Sequence, residues 1–507
     1  MLSFIVFFPI IGAITLLFIP KNEEKIIRYL SLVFTLLPLL VCIVLIINFD
    51  RNFTKADKLC KELTNVSGVK CGTFQFVEKY PWIKSINANY FIGIDGIGLL
   101  MVFLTSLIGF IGVLVSFEIE HGVKGYHILY LLLVGGMQGV FVSLDFLLFY
   151  IFWELTLFPM YFLIGIWGGP ERIKAAFKFF IYTLFGSIFM LIAMLYFYFN
   201  TPSPHTFSFE ELNLLHYNFA KGGIWFTMFI FLYLAFAIKV PAFPFHTWLP
   251  LAHVEAPTAI SVILAGILLK MGVYGFLRIS YTILPSAGQK FAPFMALIGT
   301  INIVYGALCS MAQKDFKKLI AYSSISHMGF CLLGLSAMTN EGLTGATLQM
   351  FTHGIITGSL FIIVGIIYHR VHHRDLDNFG GLGVYLPVYA GFTAVAFFAS
   401  LGLPGLAGFV SEILVFLGSF KVDWLRPYAI ISTLGVLLGA GYLLWTYQRI
   451  FFGQPKKQEY SKLPDLNIRE IISLVPLIIF MVLVGVYPKS VITFISSSIT
   501  TLASYLH

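Results

Sequence analysis

Long apolar segments separated by short polar connections run along almost the whole chain. A helix needs about 20 apolar residues to cross a bilayer, and the pattern predicts about 14 such segments. The predicted spans cover residues 2–20, 27–49, 90–117, 127–144, 145–168, 174–199, 223–249, 258–283, 291–312, 318–338, 343–368, 385–420, 428–452 and 470–488. The pattern therefore predicts an all-α polytopic membrane protein.

Composition agrees with this class. Of the 507 residues 58% are hydrophobic and 11% are charged, and the mean hydropathy is +0.89. Soluble domains contain roughly 25% charged residues. The formal net charge of +8 indicates loop lysines and arginines that meet anionic lipid head groups. Nucleic acid is not an expected partner, because no basic cluster stands on a polar face.

The distribution of lysine and arginine predicts the orientation. The first apolar run reaches Pro20 without a small-residue cleavage site, so we expect a retained helix and not a signal peptide. With the N-terminus outside, the inside loops carry about 17 Lys and Arg, and the short outside loops about 6. Segment 50–90 carries about seven more, but long loops weigh less in this rule. Both termini are therefore predicted to lie outside.

Four ionisable residues lie within apolar segments. They are Glu154, Lys239, Lys270 and Glu412. A charge at mid-bilayer is costly, so such groups usually pair, face the bundle interior and serve ion or proton transfer. Two carboxylates and two amines of this kind favour a proton path.

Two predicted spans are interrupted by their own sequence. Pro241 and Pro244 follow Lys239, and Gly402-Leu403-Pro404-Gly405 interrupts the span that contains Glu412. Matching broken helices in two halves of a transporter mark the transport site and inverted repeats. Two ordinary proline kinks are the alternative, but they leave the ionisable group beside each break unexplained.

The predicted spans group into four parts, and two of these parts each contain one of the broken spans. Residues 1–126 hold three helices and the outside loop 50–90. Each break falls in the fourth span of a five-span set, the first covering 127–283 and the second 284–452. Because five is odd, the second set is inverted relative to the first. Residues 453–507 form an inside loop and the last helix.

Histidines supply further candidates for proton transfer. His327 and His353 are predicted at mid-span with serine, threonine and glutamine nearby. Histidine titrates near neutral pH and suits a relay, although a lone intramembrane histidine can also be a packing group. For His246 and His253, near the end of the seventh span, a structural role and a proton-entry role are both open.

The five cysteines fall into two groups. Cys60 and Cys71 share the outside loop, where a disulfide would persist, so we expect a bridge; two free thiols are the alternative. The others lie in apolar spans and are expected to be small core residues: Cys42, Cys309 and Cys331. No His–Cys cluster indicates a metal site.

Several stretches carry a family resemblance. Residues 237–278 read AIKVPAFPFHTWLPLAHVEAPTAISVILAGILLKMGVYGFLR. With FWELTLFPMYFLIGIWGG (152–169) and KDFKKLIAYSSISHMGF (314–330), they resemble the antiporter-like membrane subunits of NADH–quinone oxidoreductase, respiratory complex I. The likeness covers nearly the whole chain.

Within that family the chain resembles the M-type branch. Glu412 stands in the broken twelfth span, where the L and N types typically carry lysine. The chain also ends soon after the last predicted span, leaving no room for the long lateral helix of the L type. Segment 52–73 looks like an insertion.

The resemblance implies a function and roles for the buried charges. It implies proton pumping coupled to electron transfer from NADH to quinone. In that scheme Glu154 partners Lys239, Lys270 is the central relay, and Glu412 is the exit group or the link to a neighbouring subunit.

The resemblance also implies cofactors, partners and location. We expect no cofactor in this chain; NADH, FMN, iron–sulfur clusters and quinone belong to partner subunits. The expected partners are the L- and N-type subunits, including the lateral helix of L, and lipids. The expected location is the bacterial inner membrane, with both termini in the periplasm.

Two alternatives stay open at this stage. One is the same fold in another machine, either the D-type subunit of a multisubunit cation/proton antiporter or a subunit of a membrane-bound hydrogenase. The other is a membrane scaffold that conducts nothing. A scaffold predicts that neutralising the buried charges alters assembly only.

Overall fold

The computed structural model describes residues 1–51, 74–215 and 223–506. Cys60 and Cys71 lie outside the described residues. The described helices of six or more residues are numbered in chain order. They are α1 (Leu2–Phe18), α2 (Glu24–Asn48), α3 (Gly96–Val115), α4 (Val123–Val142), α5 (Phe146–Trp167), α6 (Arg172–Phe199), α7 (Phe209–Leu214), α8 (Trp225–Lys239), α9 (Trp248–Glu255), α10 (Thr258–Ile283), α11 (Pro285–Met311), α12 (Phe316–Ala337), α13 (Asn340–Val371), α14 (Pro387–Ser400), α15 (Ala407–Phe420), α16 (Arg426–Phe451), α17 (Ile468–Val486) and α18 (Lys489–Leu506).

Most of these helices are long enough to cross a membrane. Within the described residues, 11 helices have the length and apolar composition of a span. Predicted span 385–420 is a pair of shorter helices, α14 and α15, and predicted span 223–249 is helix α8 followed by a break that leads into α9. Both spans are broken where the sequence predicted. The polytopic helical fold is confirmed, and the count of about 14 spans stays a prediction.

The third predicted span, 90–117, is wrong at its start. Strand β1 (Gln75–Ile83) pairs antiparallel with strand β2 (Ala88–Ile94), so residues 90–94 belong to a hairpin. Helix α3 begins only after Asp95, whose side chain accepts a hydrogen bond from the Gly98 amide at 2.8 Å. Only one polar residue, Asp95, separates the apolar strand from the helix, which is why the pattern merged them.

A helix follows the last predicted span. α18 buries Ile495, Ile499, Leu502 and Leu506 along one face, the spacing of an amphipathic helix. Its Ser498 hydroxyl accepts a hydrogen bond from the backbone amide at the start of α3, at 3.0 Å. The chain therefore ends in a helix packed on the bundle.

The first five-span set contains a distinctive backbone connection. Asp145 caps the N-terminus of its second helix, α5. Beside this cap, the Phe146 amide donates to the Phe207 carbonyl at 2.8 Å, and the Phe209 amide donates to the Leu144 carbonyl at 2.9 Å. The N-terminus of α5 is thus hydrogen-bonded to the segment that follows α6, the third helix of the set.

The second set repeats this connection. Asp315 caps its second helix, α12. The Phe316 amide donates to the Arg374 carbonyl at 2.9 Å, and the Leu376 amide donates to the Lys314 carbonyl at 2.8 Å. Both sets therefore have an aspartate cap on the second helix, the same pair of backbone hydrogen bonds beside it, and a broken fourth helix. Structural repeats are expected to share such features.

Helices α11 and α12 pack closely through glycines. A methyl group on Gly329 would lie 2.7 Å from the Gly299 carbonyl oxygen and 2.8 Å from the Ile303 amide nitrogen. Small residues let membrane helices approach at this distance.

We expect Gly329→Ala to destabilise the protein by about 1–3 kcal/mol, the usual cost of overpacking. The variant should accumulate to lower levels in the membrane and lose structure at a lower temperature. Gly391→Ala is the matched control, because Gly391 is an exposed helical glycine with open space around it. Equal thermal stability of the two variants would contradict the close packing.

Candidate functional site

Glu154 lies within electrostatic range of Lys239, which stands beside the first break. Lys239 is the last residue of α8, and only 1% of it is exposed. Its Nζ has no hydrogen-bond partner and lies 5.0 Å from the centre of the Trp153 ring and 5.8 Å from that of Phe179. Glu154, on α5, lies close enough for its charge to interact with the lysine, and one of its carboxylate oxygens is buried without a partner.

This arrangement leaves the Lys239 amine poorly satisfied. A buried charge without hydrogen bonds costs several kcal/mol, and contact with aromatic rings offsets only about 0.5–2 kcal/mol of that cost. The carboxylate and the ammonium do not touch. The charge state of Lys239 therefore depends on the distance from its amine to Glu154 and to any nearby water.

Lys270 lies at the centre of the bundle. It is fully buried in α10, between two π-helical stretches, Leu264–Leu268 and Phe276–Ser280. Its Nζ donates a hydrogen bond to the Ala265 carbonyl and lies 2.7 Å from Nδ1 of His353. π-Helical turns occur frequently at functional sites. Here the relay candidates Lys270 and His353 are in direct contact.

The chain of polar groups continues from His353 to the second break. The ring centres of His353 and His327 are 5.7 Å apart, and Nε2 of His353 has no partner. Nδ1 of His327 lies 3.3 Å from Oε1 of Glu412, and its Nε2 lies 3.3 Å from Oγ of Ser400, the last residue of α14. Lys270, His353, His327 and Glu412 thus lie in one line, with a single gap between the two histidine rings.

A small cavity lies at the middle of this path. It measures about 10 Å³, and His327, His353, Ser400 and Glu412 are among its lining residues. Roughly 10–15 Å³ is enough for one water molecule if the walls are polar. One water there would close the step between the two histidine rings.

The glycine-rich break makes room for Glu412. Gly402 and Gly405 have φ of +80° and +92°, which glycine adopts without strain. A Cβ on Gly402 would lie 3.0 Å from Oε2 of Glu412. The break therefore places the carboxylate against bare backbone.

Lys317 is a residue that the sequence analysis missed. The pattern placed it in the inside loop 313–318, but it lies in the first turn of α12, is only 6% exposed, and donates to the Ala256 carbonyl at 2.5 Å. Asp315 could have indicated this position, because an N-cap residue there makes the helix begin at Phe316 and places Lys317 inside it.

Lys317 lines the larger cavity of about 270 Å³ at this end of the bundle. Glu118, Glu255, His369 and Arg374 are among the other lining residues. The cavity also reaches Thr258, the first residue of α10, the helix that carries Lys270.

The other two histidines stand apart from the path. His253 stacks on Phe361 with ring centres 4.5 Å apart, and neither of its ring nitrogens has a partner. It lies within electrostatic range of Lys317 and of Lys270. His246 lies in the first break against Phe243 and Tyr305.

Lys239 and Lys270 are not joined directly. Helices α8 and α10 pack at Gly272, where a Cβ would lie 2.6 Å from the Phe236 carbonyl oxygen. In the described structure, the Lys239 amine has no hydrogen bond that leads to the relay lysine. Residues 1–51, 74–215 and 223–506 bring together no group of His, Cys, Asp and Glu suited to a metal ion.

This arrangement, with two broken helices and a buried line of lysine, histidine and glutamate, defines an antiporter-like membrane protein. Residues 143–439 match the family model for the transmembrane region of NADH:quinone oxidoreductase and Mrp antiporters. NADH-quinone oxidoreductase subunit M of Rickettsia prowazekii is 40% identical over 508 residues, covering 99% of this chain and 98% of the relative. Subunit M of Rhodobacter capsulatus is 40% identical over 519 residues, covering 100% and 97%. The chain belongs to the NADH-quinone oxidoreductase subunit M family.

Solved structures agree with this placement. A chain of respiratory complex I from Thermus thermophilus superposes with a TM-score of 0.86 at 29% identity, and each chain is covered completely. A chain of the Mrp complex from Dietzia has a TM-score of 0.82 at 18% identity, with 100% of this chain and 99% of that chain covered. The second likeness concerns the fold alone.

Proposed function

We propose that this chain translocates protons as a membrane subunit of an NADH–quinone oxidoreductase. The observation that carries the proposal is the buried path Lys270–His353–His327–Glu412, which runs from the middle of the bundle to the second break. Family membership supports the coupling to electron transfer.

The path supports a stepwise transfer. The Lys270 ammonium gives a proton to Nδ1 of His353 and is left as a neutral amine. The proton then passes through one water to His327 and on to the Glu412 carboxylate. A further proton enters through the larger cavity past Lys317 and His253 and restores the ammonium.

The Glu154–Lys239 pair controls this relay in our proposal. When Glu154 moves close, the Lys239 ammonium is stabilised; when it moves away, the buried lysine releases its proton. A change in the charge on Lys239 alters the electrostatic potential at Lys270 through the low-dielectric interior. The pair thereby couples events outside this chain to proton release inside it.

The redox chemistry belongs to partner subunits in this proposal. NADH, FMN, iron–sulfur clusters and quinone bind there, and this chain holds no cofactor. The L- and N-type subunits, including the lateral helix of L, and lipids are the proposed neighbours. Ile413 and Leu417 are exposed on α15 beside Glu412, which supports contact of this helix with a neighbour.

The proposed membrane is the bacterial inner membrane. Met1 pairs with Glu78 of β1 at 3.0 Å, and the Leu506 carbonyl accepts from Gln289 at 2.5 Å. We propose that the ends of the chain lie in the periplasm, whereas the Lys317 cavity opens to the cytoplasm.

Replacing His353 tests the path. We expect His353→Gln to keep the complex assembled and to lower the protons pumped per NADH, because glutamine donates and accepts hydrogen bonds but does not carry a proton. The measurement is proton uptake and NADH oxidation in inverted membrane vesicles. His127→Gln is the control, since His127 is buried in α4 and neither of its ring nitrogens has a hydrogen-bond partner. Equal pumping by both variants would remove His353 from the mechanism.

A further inference from the structure

The helix that carries Lys270 ends in a buried ion pair. Nη2 of Arg278 lies 2.6 Å from Oδ1 of Asp95, and Nε of Arg278 donates to the Tyr274 hydroxyl at 3.1 Å. Asp95 connects β2 to α3, so the pair lies at the end of the bundle that carries the hairpin, here called the hairpin end. The ring of Phe74 covers the guanidinium at 4.7 Å.

Arg278 lies on the same stripe of α10 as the relay lysine. Lys270, Tyr274 and Arg278 are spaced four residues apart, and residues so spaced lie above one another on a helix. The stretch between Lys270 and Arg278 is completely buried. A proton that left Lys270 along its own helix toward the hairpin end would therefore meet this cluster.

The polar groups of this cluster hold one another in fixed hydrogen bonds: Oδ1 of Asp95 accepts from Nη2 of Arg278 and from the Gly98 amide. The Tyr274 hydroxyl donates to the Phe141 carbonyl at 2.9 Å, and its oxygen accepts from Arg278. A backbone carbonyl offers no proton to exchange, and a guanidinium stays protonated in proteins. A fixed arginine charge is also a barrier to protons in membrane pores.

The two ends of α10 are therefore different. At its Thr258 end the helix borders the cavity of about 270 Å³. At the hairpin end, the described neighbours of the guanidinium are Asp95 and the rings of Phe74 and Tyr274. A cavity thus borders one end of the relay helix, and a buried ion pair lies at the other end.

We propose that Arg278, held by Asp95 and Tyr274, is a positioning residue that seals the hairpin end of the relay helix. The seal prevents a proton on Lys270 from leaking along α10, so the proton is passed sideways to His353. This inference rests on the proposed role of Lys270 in proton transfer. It adds a function for an ion pair that takes no part in the transfer path.

Passive proton leak tests the seal. Vesicles that contain the intact complex are energised with NADH, turnover is stopped, and the decay of the pH gradient is followed. We expect Arg278→Ala to accelerate the decay severalfold while NADH oxidation continues. Arg278→Lys should assemble because it keeps a cation beside Asp95, yet it should also leak because an ammonium can exchange its proton.

The double variant Arg278→Ala/Lys270→Ala shows whether Arg278 blocks a proton leak through Lys270 or only stabilises the structure. If the leak runs through the relay lysine, the double variant should return to the slow decay of the parent. Arg370→Gln is the matched control, because Arg370 pairs with Glu470 of α17 at 2.7 Å, outside the Arg278 cluster. It should not leak.

Three outcomes would overturn the seal. They are a slow decay in assembled Arg278→Ala and Arg278→Lys complexes, a leak that persists without Lys270, and failure of Arg278→Lys to assemble, which would make the pair structural. Normal pumping by Lys270→Ala alone would instead refute the proposed function, so the two failures are distinguishable.

Discussion

Replacing Lys270 with alanine is expected to abolish most proton pumping by this chain while the complex still assembles. The change removes the amine that contacts Nδ1 of His353 and donates to Ala265, so the path loses its first member. Assembly should survive, because removing a fully buried charge also removes its desolvation cost. Proton uptake per NADH oxidised, measured in inverted vesicles, should fall to the contribution of the other pumping subunits.

Substitution of an exposed lysine is the control for Lys270→Ala. Lys290 is exposed and lies over the Trp225 ring at 5.0 Å. Lys290→Ala should leave pumping unchanged. Normal proton uptake by an assembled Lys270→Ala complex would exclude the relay, and loss of assembly in a native gel without any separate pumping defect would favour the scaffold alternative.

The sequence could predict the fold because the bilayer imposes strong rules. Apolar length identified the spans, and the prolines after Lys239 and the Gly402–Gly405 segment identified the two breaks. The prediction of spans from apolar length was wrong where apolar residues do not form a spanning helix. Residues 90–94 form a strand that leads directly into α3, and hydropathy does not distinguish an apolar strand from the start of an apolar helix.

The site could be predicted in part for a related reason. Charges in hydrocarbon are costly, so Glu154, Lys239, Lys270 and Glu412 stood out by type and position alone. Their order in space was not predictable, because contacts such as that between Lys270 and His353, 83 residues apart, depend on how the helices pack.

Lys317 and Arg278 show a further limit. Each lies near a helix end, where hydropathy predicts a solvated cation, and yet both are at least nine-tenths buried. Lys317 is held by a carbonyl and Arg278 by Asp95, which is remote in sequence. Burial at a helix end depends on tertiary neighbours and is invisible to a span-by-span analysis.

The electrostatic coupling of Glu154 to Lys239 leads to the second large effect. At an effective dielectric near 20, unit charges about 4 Å apart attract by about 4 kcal/mol, and the attraction falls with the inverse of the distance. Movement of a carboxylate from about 4 Å to about 8 Å thus weakens the attraction by about 2 kcal/mol, which is about three times the thermal energy. Glu154→Gln keeps the shape of the side chain and removes this coupling.

We therefore expect Glu154→Gln to assemble normally and to lose most NADH-driven proton pumping. Lys239→Ala should have the same effect. Lys239→Arg should also fail, because the guanidinium keeps its charge and does not release a proton. Proton uptake and quinone reduction in vesicles, with the subunit content checked by native gel, give the measurement.

The double variant Glu154→Gln/Lys239→Ala distinguishes a coupled pair from two separate groups. Each single change leaves the other charge buried without its partner, whereas the double change removes both. The loss in the double variant should therefore be smaller than the sum of the single losses. Additive losses would mean that the two residues act independently, and normal pumping by an assembled Glu154→Gln complex would refute the control of the relay by this pair.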